Sequence, residues 1–405
     1  MRLPGGVVTG TQWLAVATAA TQLGNGQLEL TSRGNLQVRG LEPGAQKLLE
    51  DRLTEAGLLP SLTHERVRNL LASPLTGRDG AGLLDVRRLI GEFDELLCGR
   101  RALGALSGRF LFALDDGRGD VRQADADITT VAVSATSVEL LLAGTPTGLR
   151  VPVSAAVHLM LAAAEAFLAE RERDGANAWR LGELADGAAR IAARVAGSAE
   201  TAAASPLATE PLGAVSLAKP LGAVSPRIPQ PGPVALSDGS TALVIGIPLG
   251  RLNAAQASTL TSPELILTPW RSIVVPDLST DQAAELAARC DRLGLITGGS
   301  HPLLGVTACT GRPGCASALA DVRADALAVH LDTHTDPPGS ANATAVHGAT
   351  TAVHWAGCSR RCGRPAGTLV DLVATGSGYH LSHGDRTMEA GTAHTDLRAA
   401  LAAVR

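Results

Sequence analysis

Apolar positions along this chain follow two periods, and the change from one to the other marks its elements. Val86, Leu89, Ile90, Phe93, Leu96 and Leu97 recur at the three-, four- and seven-residue spacing of an amphipathic helix. Arg109 to Leu114 then reads as a strand stopped by Asp115-Asp116-Gly117, with further strands near Ile128 to Val133 and Val138 to Leu142. Helices are expected from about Ser154 to Arg171 and around Arg180 to Val195. In the last third, strands near Ala326 to Leu331, Thr351 to Trp355 and Thr368 to Val373 precede a final helix around Thr395 to Val404. This order predicts an α+β class with mixed or antiparallel sheets. The most apolar long run, Val151 to Ala169, is interrupted by Pro152, His158 and Glu165, so it reads as a buried Ala-rich helix and not as a membrane span.

The pattern also repeats. Leu28 to Leu41 aligns without gaps against Leu265 to Leu278, and the offset of 237 residues persists through the following helix to Gly57-Leu58 against Gly294-Leu295. Upstream, Leu3-Pro4, Gly6, Val8 and Gln12 match Ile247-Pro248, Gly250, Leu252 and Gln256 at an offset of 244. Each half therefore opens with a strand, a helix, a strand pair and a helix. In the second copy the apolar strand Thr241 to Ile245 leads into the Ile-Pro-x-Gly turn, whereas the first begins almost at that turn, with Met1-Arg2-Leu3. The first strand of unit 1 is accordingly expected to be missing, at the cost of an open sheet edge. Between the halves, residues 196–235 are rich in Ala, Ser and Pro and repeat PLGAVS at Pro211 to Ser216 and Pro220 to Ser225, the composition of a linker. The expected units are 1–60, 61–195, 236–298 and 299–405.

Composition narrows the function. The 405 residues are 45% hydrophobic and 18% charged with a net charge of -4, which describes a soluble globular chain and argues against a nucleic-acid binder driven by a basic surface. Aromatic residues are only 2% of the chain, too few for stacking platforms on single strands. The amino-terminal MRLPGGVVTG lacks the apolar stretch of a signal peptide, so a cytoplasmic location and no membrane partner are expected.

Six cysteines are unevenly placed. Cys98 and Cys290 sit at apolar helical positions, as small buried hydrophobes do. Cys309 and Cys315 form a C-x5-C pair, and Cys358 and Cys362 form C-x3-C about forty residues on. Four thiolates in two loop pairs suit a 4Fe-4S cluster, one sulfur per iron. Zinc also accepts four cysteines, but its usual pairs are closer in sequence. Four unrelated reduced core cysteines are the bland alternative. Gly311, Pro313, Gly314 and Gly357 would let the backbone approach a cluster. Ser73 stands near where the second copy has Cys309, and the first half carries no cysteine pair.

These cysteine pairs, the duplication and the segment Leu30-Thr-Ser-Arg33-Gly-Asn-Leu-Gln37-Val-Arg39-Gly40 resemble the nitrite and sulfite reductase superfamily. The resemblance implies an internally duplicated nitrite/sulfite reductase-like fold, each half a ferredoxin-like unit (1–60 and 236–298) plus a larger mixed α/β unit (61–195 and 299–405). It also implies a 4Fe-4S cluster held by Cys309, Cys315, Cys358 and Cys362, with Cys362 facing a tetrapyrrole. Arg33 matches the family's T-x-R-x-x-x-Q strand, Arg68 its R-N segment, and Arg109 the first lysine of P-R-K-F-K, while Leu111 replaces the second lysine. By the resemblance Arg33, Arg68 and Arg109 are catalytic, and Arg33, Gln37, Arg39, Arg68, Asn69 and Arg109 bind the ligand.

Within the superfamily the sequence is most similar to the precorrin-3B synthase family, through the motif His354-Trp-Ala-Gly357-Cys358-Ser-Arg-Arg-Cys362-Gly-Arg-Pro365. That resemblance implies oxygen-dependent hydroxylation of precorrin-3A at C20 with γ-lactone formation, as a step of aerobic cobalamin synthesis. Its partners would be dioxygen and an external electron donor, NADH through a reductase or a ferredoxin. The family is also associated with a non-haem iron. The alternative is a ferredoxin-dependent sulfite or nitrite reductase with bound sirohaem.

Residue chemistry points independently to a carboxylate-rich ligand. Arg33, Arg39, Arg68, Arg109, Arg312, Arg360 and Arg361 lie in or beside the motif loops of a mildly acidic chain, and the guanidinium fork suits carboxylates. His330, His334, His347 and His354, with Asp332 and Asp336, could supply two histidines and a carboxylate to iron, but their spacing selects no set. No strand-linked G-x-G-x-x-G and no G-K-[ST] occurs, so a built-in nicotinamide or nucleotide site is not expected.

Overall fold

The computed structural model describes residues 1–203, 216–219, 221–222, 225–331, 352–365 and 367–404. The first half runs β1 (Val7–Thr9), α1 (Gly10–Leu23), β2 (Leu28–Leu30), β3 (Leu36–Val38) and α2 (Gln46–Glu55). It continues through β4 (Leu70–Ala72), α3 (Arg87–Gly99), β5 (Phe112–Asp115), β6 (Ile128–Ala132), β7 (Ser137–Leu142), β8 (Thr145–Pro152), α4 (Ala156–Arg173) and α5 (Gly187–Ala203). After β9 (Ser216–Leu217) and β10 (Gly232–Ala235), the second half repeats the plan. Its opening unit is β11 (Thr241–Gly246), β12 (Arg251–Leu252), α6 (Ala254–Thr259), β13 (Glu264–Leu267), β14 (Ser272–Leu278) and α7 (Thr280–Arg292). Its larger unit is β15 (Val306–Ala308), α8 (Val322–Leu331), β16 (Val353–Ala356), β17 (Val370–Ala374), β18 (Tyr379–His383), β19 (Arg386–Ala390) and α9 (His394–Val404).

The matched glutamines of the repeat do local work. Gln12 and Gln256 close capping boxes with Thr9 and Asn253 at the starts of α1 and α6. Their side-chain amides then reach across to the ends of α2 and α7, donating to the Ala56 carbonyl (3.2 Å) and the Leu293 carbonyl (2.9 Å).

The two opening units are interlocked. One sheet has the order β1-β13-β14-β11-β10 and another β12-β2-β3. Each half thus lends a short strand to the other half's strand pair: Val7 lies opposite Ile266, and Arg251 opposite Glu29. In the second half β11 flanks β14, with Ile245 opposite Ile273. At the matching place in the first half, the Met1 amino group donates to the Leu36 carbonyl (3.0 Å) and the Leu3 amide to Asn35 Oδ1 (2.8 Å).

The larger units share a topology. β4, β5 and β6 are parallel and β7 and β8 antiparallel, while β15, β16 and β17 are parallel and β18 and β19 antiparallel. The long apolar helix α4 is a core element: Leu159, Met160, Ala163, Ala164 and Phe167 are buried with Phe93, Phe110 and Phe112. Val153–Arg173 meets the length and composition of a membrane span, yet most of it is enclosed by the first half.

Several local expectations are corrected. Ala326 to Leu331 is the end of helix α8, not a strand; Val322, Ala326 and Val329 are buried at helical spacing, and the short alternation of apolar residues there mimics a strand. The strand expected from Arg109 begins at Phe112, because Ser107 to Phe110 turns and the Leu111 amide is taken by Asp127 Oδ2 (2.8 Å). The helix expected around Arg180 starts at Gly187, after a short 3-10 turn at Leu181–Glu183. Strands β8, β18 and β19 were not anticipated, their turns being embedded in Gly- and Thr-rich sequence. The Thr351 to Trp355 strand is observed from Val353, and much of the 196–235 segment lies outside the described residues.

Candidate functional site

Adjacent parallel strands carry both cysteine loops. β15 runs directly into Cys309 and β16 into Gly357-Cys358, so Cys309 and Cys358 leave the same edge of one sheet. The Cys309 amide donates to the Trp355 carbonyl (2.9 Å), and the Gly357 amide donates to Cys309 Sγ (3.1 Å). Glycine is required at 357, where an added Cβ would lie 2.7 Å from the Ala318 Cβ, and at 311, where φ is 65° and a Cβ would meet Val322 at 2.9 Å. Arg312 braces the first loop by donating Nε to the Ala318 carbonyl (2.7 Å). All four thiols are free; Cys362 is exposed and the other three half-buried. Arg360 and Arg361 are exposed beside Cys362.

The first half builds the same loop frame with different chemistry. There the Asp116 amide donates to Ser73 Oγ (3.1 Å) and the Leu83 amide to the Asp116 carbonyl (2.7 Å). In the second half the Gly357 amide meets Cys309 Sγ at 3.1 Å and the Leu319 amide meets the Gly357 carbonyl at 2.7 Å. Ser73 thus stands for Cys309 and Asp116 for Gly357, and on the same offset Asp79 stands for Cys315. Between these loops the first half places the guanidinium of Arg118, bonded to both Asp79 oxygens (2.8 and 2.8 Å) and to Asp116 (2.8 Å).

The second-half thiols are not gathered as closely as a single four-coordinate ion would hold them. Among the described residues, only Asp115, Asp116 and Asp120 bring three metal-capable side chains within 4.8 Å of one another. A tetrahedral zinc centre with Zn–S near 2.3 Å would hold its sulfurs roughly 3.8 Å apart, so the four thiols are spread wider than zinc requires. Nη1 of the buried Arg323 has no acceptor among the described residues, and Cys309 is among the charges acting on that guanidinium. Burial, followed by the neighbouring Arg251, lowers Arg323 to about 10.

The histidines behave as structural groups. His354 is buried in β16 with Nδ1 2.9 Å from Thr307 Oγ1, and burial with nearby Arg271 pushes its pKa down to about 4, so it is neutral. His330 is buried in α8, edge-on to Trp355. Asp332, His334, Asp336 and His347 lie outside the described residues. No set of two histidines and a carboxylate is gathered among the described residues. Cys290 is a fully buried core residue whose thiol burial raises to about 11, and Cys98 is half-buried on α3.

The arginines separate into three settings. Arg33, on the turn between β2 and β3, donates to the carbonyls of Gly108 (3.1 Å) and Arg109 (2.8 Å). Asn69 donates to the same Gly108 carbonyl (3.0 Å) and is fully buried. Burial, with Arg180, Arg2 and Arg109 around it, lowers Arg33 to about 10. Arg109 is exposed, with its guanidinium 5.6 Å from the centre of the Trp179 ring. Arg68 is enclosed and committed: it forms a fork with Asp94 (2.6 and 2.7 Å) and reaches Glu65 (3.0 Å). Arg39 pairs with Glu29 (2.8 Å), which also takes Arg251 (3.1 Å), and Gln37 is exposed on β3. Arg33 and Asn69 therefore meet at the Gly108 carbonyl, with the Arg109 guanidinium nearby over Trp179, whereas Arg39 pairs with Glu29 and Gln37 is exposed on β3. Arg2 and Arg180 belong to the first group and were missed, because no motif spacing ties them to it.

Residues 1–56 match the nitrite/sulfite reductase ferredoxin-like half domain. The chain is 28% identical over 381 residues to a precorrin-3B synthase from Sinorhizobium sp, covering 91% of this chain and 75% of that protein. It is 26% identical to a ferredoxin–nitrite reductase from Synechococcus elongatus, covering 92% and 75%. The solved structure of the Mycobacterium tuberculosis NirA protein superposes with a TM-score of 0.73 at 19% identity, over 96% of this chain and 77% of that one. The molecule thus has a nitrite/sulfite reductase-like fold of the α+β class. Among proteins of that kind it resembles precorrin-3B synthase.

Proposed function

We propose that this chain is an oxidoreductase of the precorrin-3B synthase type, hydroxylating precorrin-3A at C20 and closing a γ-lactone in aerobic cobalamin synthesis. In that reaction one oxygen atom of dioxygen enters the product. The other leaves as water, with two electrons and two protons supplied from outside by NADH through a reductase or by a ferredoxin. The observation that carries the reading is the pair of cysteine loops at one sheet edge of the second half, braced by Gly357 and Arg312. Cys309, Cys315, Cys358 and Cys362 would hold a 4Fe-4S cluster, which when bound supplies electrons one at a time.

The remaining roles fall to the arginines of the first half. Arg33 and Arg109 would receive carboxylate arms of the macrocycle, Arg33 already aimed by its bonds to the Gly108 and Arg109 carbonyls. Asn69 fixes Gly108 from behind. Arg68, whose fork is filled by Asp94 and Glu65, would act as a positioning residue for the segment up to Asn69. The test is anaerobic reconstitution followed by incubation with precorrin-3A, a reductant and dioxygen. A product heavier by one oxygen atom is expected, and its absence with a fully loaded cluster sinks the proposal.

The second reading, a ferredoxin-dependent nitrite or sulfite reductase carrying sirohaem, draws on the likeness to the nitrite reductase. Against it, apolar Leu111 stands where those reductases place a second lysine, and Arg68 has no free face for a small anion. The visible spectrum of the resting protein separates the two, since bound sirohaem adds a strong Soret band.

A further inference from the structure

The second half contains a cavity of about 580 Å³, whose walls include Gln230, Trp270, Arg271, His301, Leu304 and Ala352. It is the duplicated counterpart of the place where Arg33, Asn69 and Gly108 meet. On the repeat offset Trp270 stands for Arg33. The strand registers set Leu304 against Arg68, Gly305 against Asn69 and Ala352 against Leu111. Cations in the first copy have become an indole and aliphatic walls in the second.

One guanidinium breaks that rule, and it is installed at a cost. Arg271 occupies the position of Gly34, and both are left-handed, with φ of 57° and 62°. Glycine adopts that backbone freely, whereas an arginine is strained there. The side chain must also cross Gly250, where an added Cβ would fall 2.5 Å from the Arg271 Cδ. Gly250 and its neighbour Leu249 are themselves left-handed, at φ of 72° and 51°. At the end of this path Arg271 donates Nη2 to the Gly363 carbonyl (3.0 Å) and has no carboxylate within ion-pair distance among the described residues. A half-buried cation with no ion-pair partner among the described residues, on a wall that mixes Trp270, Leu304 and Ala352 with Gln230 and His301, is suited to an anion with a flat apolar body. Trp270 supplies a fixed flat face beside it, packed against the cluster that includes Leu71, Ala113 and Val121.

We propose that this cavity is a second ligand site, separate from Arg33 and Arg109, that takes a planar carboxylate of the pyrrole class with its acid on Arg271 and its ring against Trp270. The carboxylate follows from the cavity alone; the pyrrole rests on the tetrapyrrole reading above. The probes are porphobilinogen, a single pyrrole with acetate and propionate arms, and benzoate, which has the acid and a flat ring without a pyrrole. Calorimetric titration of the full chain is expected to show porphobilinogen binding that weakens about tenfold or more in Arg271→Gly, the loss typical of a charged hydrogen-bonded contact. Arg88→Gln, at an exposed arginine away from the cavity, should leave it unchanged. Because Arg271→Gly also relieves the backbone, its melting temperature should equal or exceed that of the parent, which separates lost binding from lost folding. Retained affinity in Arg271→Gly, an equal loss in Arg88→Gln, a lowered melting temperature, or no binding of either probe overturns the proposal. Binding of benzoate alone, dependent on Arg271, overturns the pyrrole assignment and counts against the tetrapyrrole reading, while a failure of oxygen transfer leaves the binding result standing.

Discussion

Arg118 shows how a single side chain can take over a space framed for something larger. Its guanidinium lies between the loops that match the cysteine loops, 1% exposed, with Asp79 and Asp116 each binding it through two contacts or more. Replacing it with methionine would strand those buried carboxylates and is expected to cost about 3–5 kcal/mol, read from urea unfolding. Asp120 makes the same network sensitive to pH. It accepts from Ser73 Oγ (2.6 Å), while Oδ2 has no hydrogen-bond partner among the described residues and sits 3.8 Å from Arg118 Nε. Burial, reinforced by Asp115 and Asp116, pushes its pKa up to about 7. From about pH 4, the ordinary aspartate value, up to that raised value the folded chain holds a proton that the unfolded chain has released. Stability from this group is therefore full below the window, declines as pH rises through it, and is level above. Asp120→Asn keeps the oxygen that Ser73 needs and should flatten that decline, so the variant gains on the parent between about pH 5 and about pH 7.5. Parallel unfolding curves for the two proteins at both pH values would refute it. None of this was legible in the sequence, where Asp-Asp-Gly-Arg-Gly-Asp reads as a turn; only the duplicated hydrogen bonds give it meaning.

Elements were legible where their signal was local and repeated. Gln12 and Gln256 stood out as matched letters, and the structure explains them as caps that also tie one helix to the end of the next. Gln256→Ala should cost about 1 kcal/mol in unfolding free energy, the usual value of a lost cap. The helix α8 was misread because Ala-Leu-Ala-Val alternates over too few residues to tell period two from period 3.6. Strand exchange between β1 and β13 could not be read at all, since pairing partners more than 250 residues apart leave no local trace. At the candidate centre, spacing singles out two cysteine pairs, and the structure sets Cys309 and Cys358 at the ends of adjacent parallel strands. Cys315→Ser and Cys358→Ser are expected to lose iron and acid-labile sulfide after reconstitution. Cys290→Ser and Cys98→Ser should retain both, Cys290 being sealed in a core and Cys98 lying on α3. The arginines are legible only as a group: the family resemblance proposes Arg33, Arg39, Arg68 and Arg109 as ligand-facing, but folding pairs Arg39 with Glu29 and closes Arg68 behind Asp94.

At the scale of the whole molecule, the duplication is interlocked and not merely tandem. β1 leaves the first half to pair with β13, and β12 leaves the second to pair with β2, both antiparallel. Their apolar residues share one core, in which Trp13, Leu28 and Leu36 pack with Leu252, Ile273 and Leu286. The Trp13 indole also donates to the Ala257 carbonyl (2.9 Å) across the two units. Such a core cannot be divided without exposing both sheets, so the covalent link between the halves should matter less than the exchange. A protease site placed within residues 204–215 tests this directly. After cleavage the two fragments are expected to co-elute as one species of parental size, with an unfolding midpoint lowered because the free ends gain entropy in the unfolded state. Each half expressed alone should fail to give a cooperative transition, because its strand pair has lost a donated neighbour. Separation of the cleaved halves under native conditions would show that the exchanged strands do not hold them, and the cysteine loops and the Arg33 group would then need the peptide link to stay in one molecule.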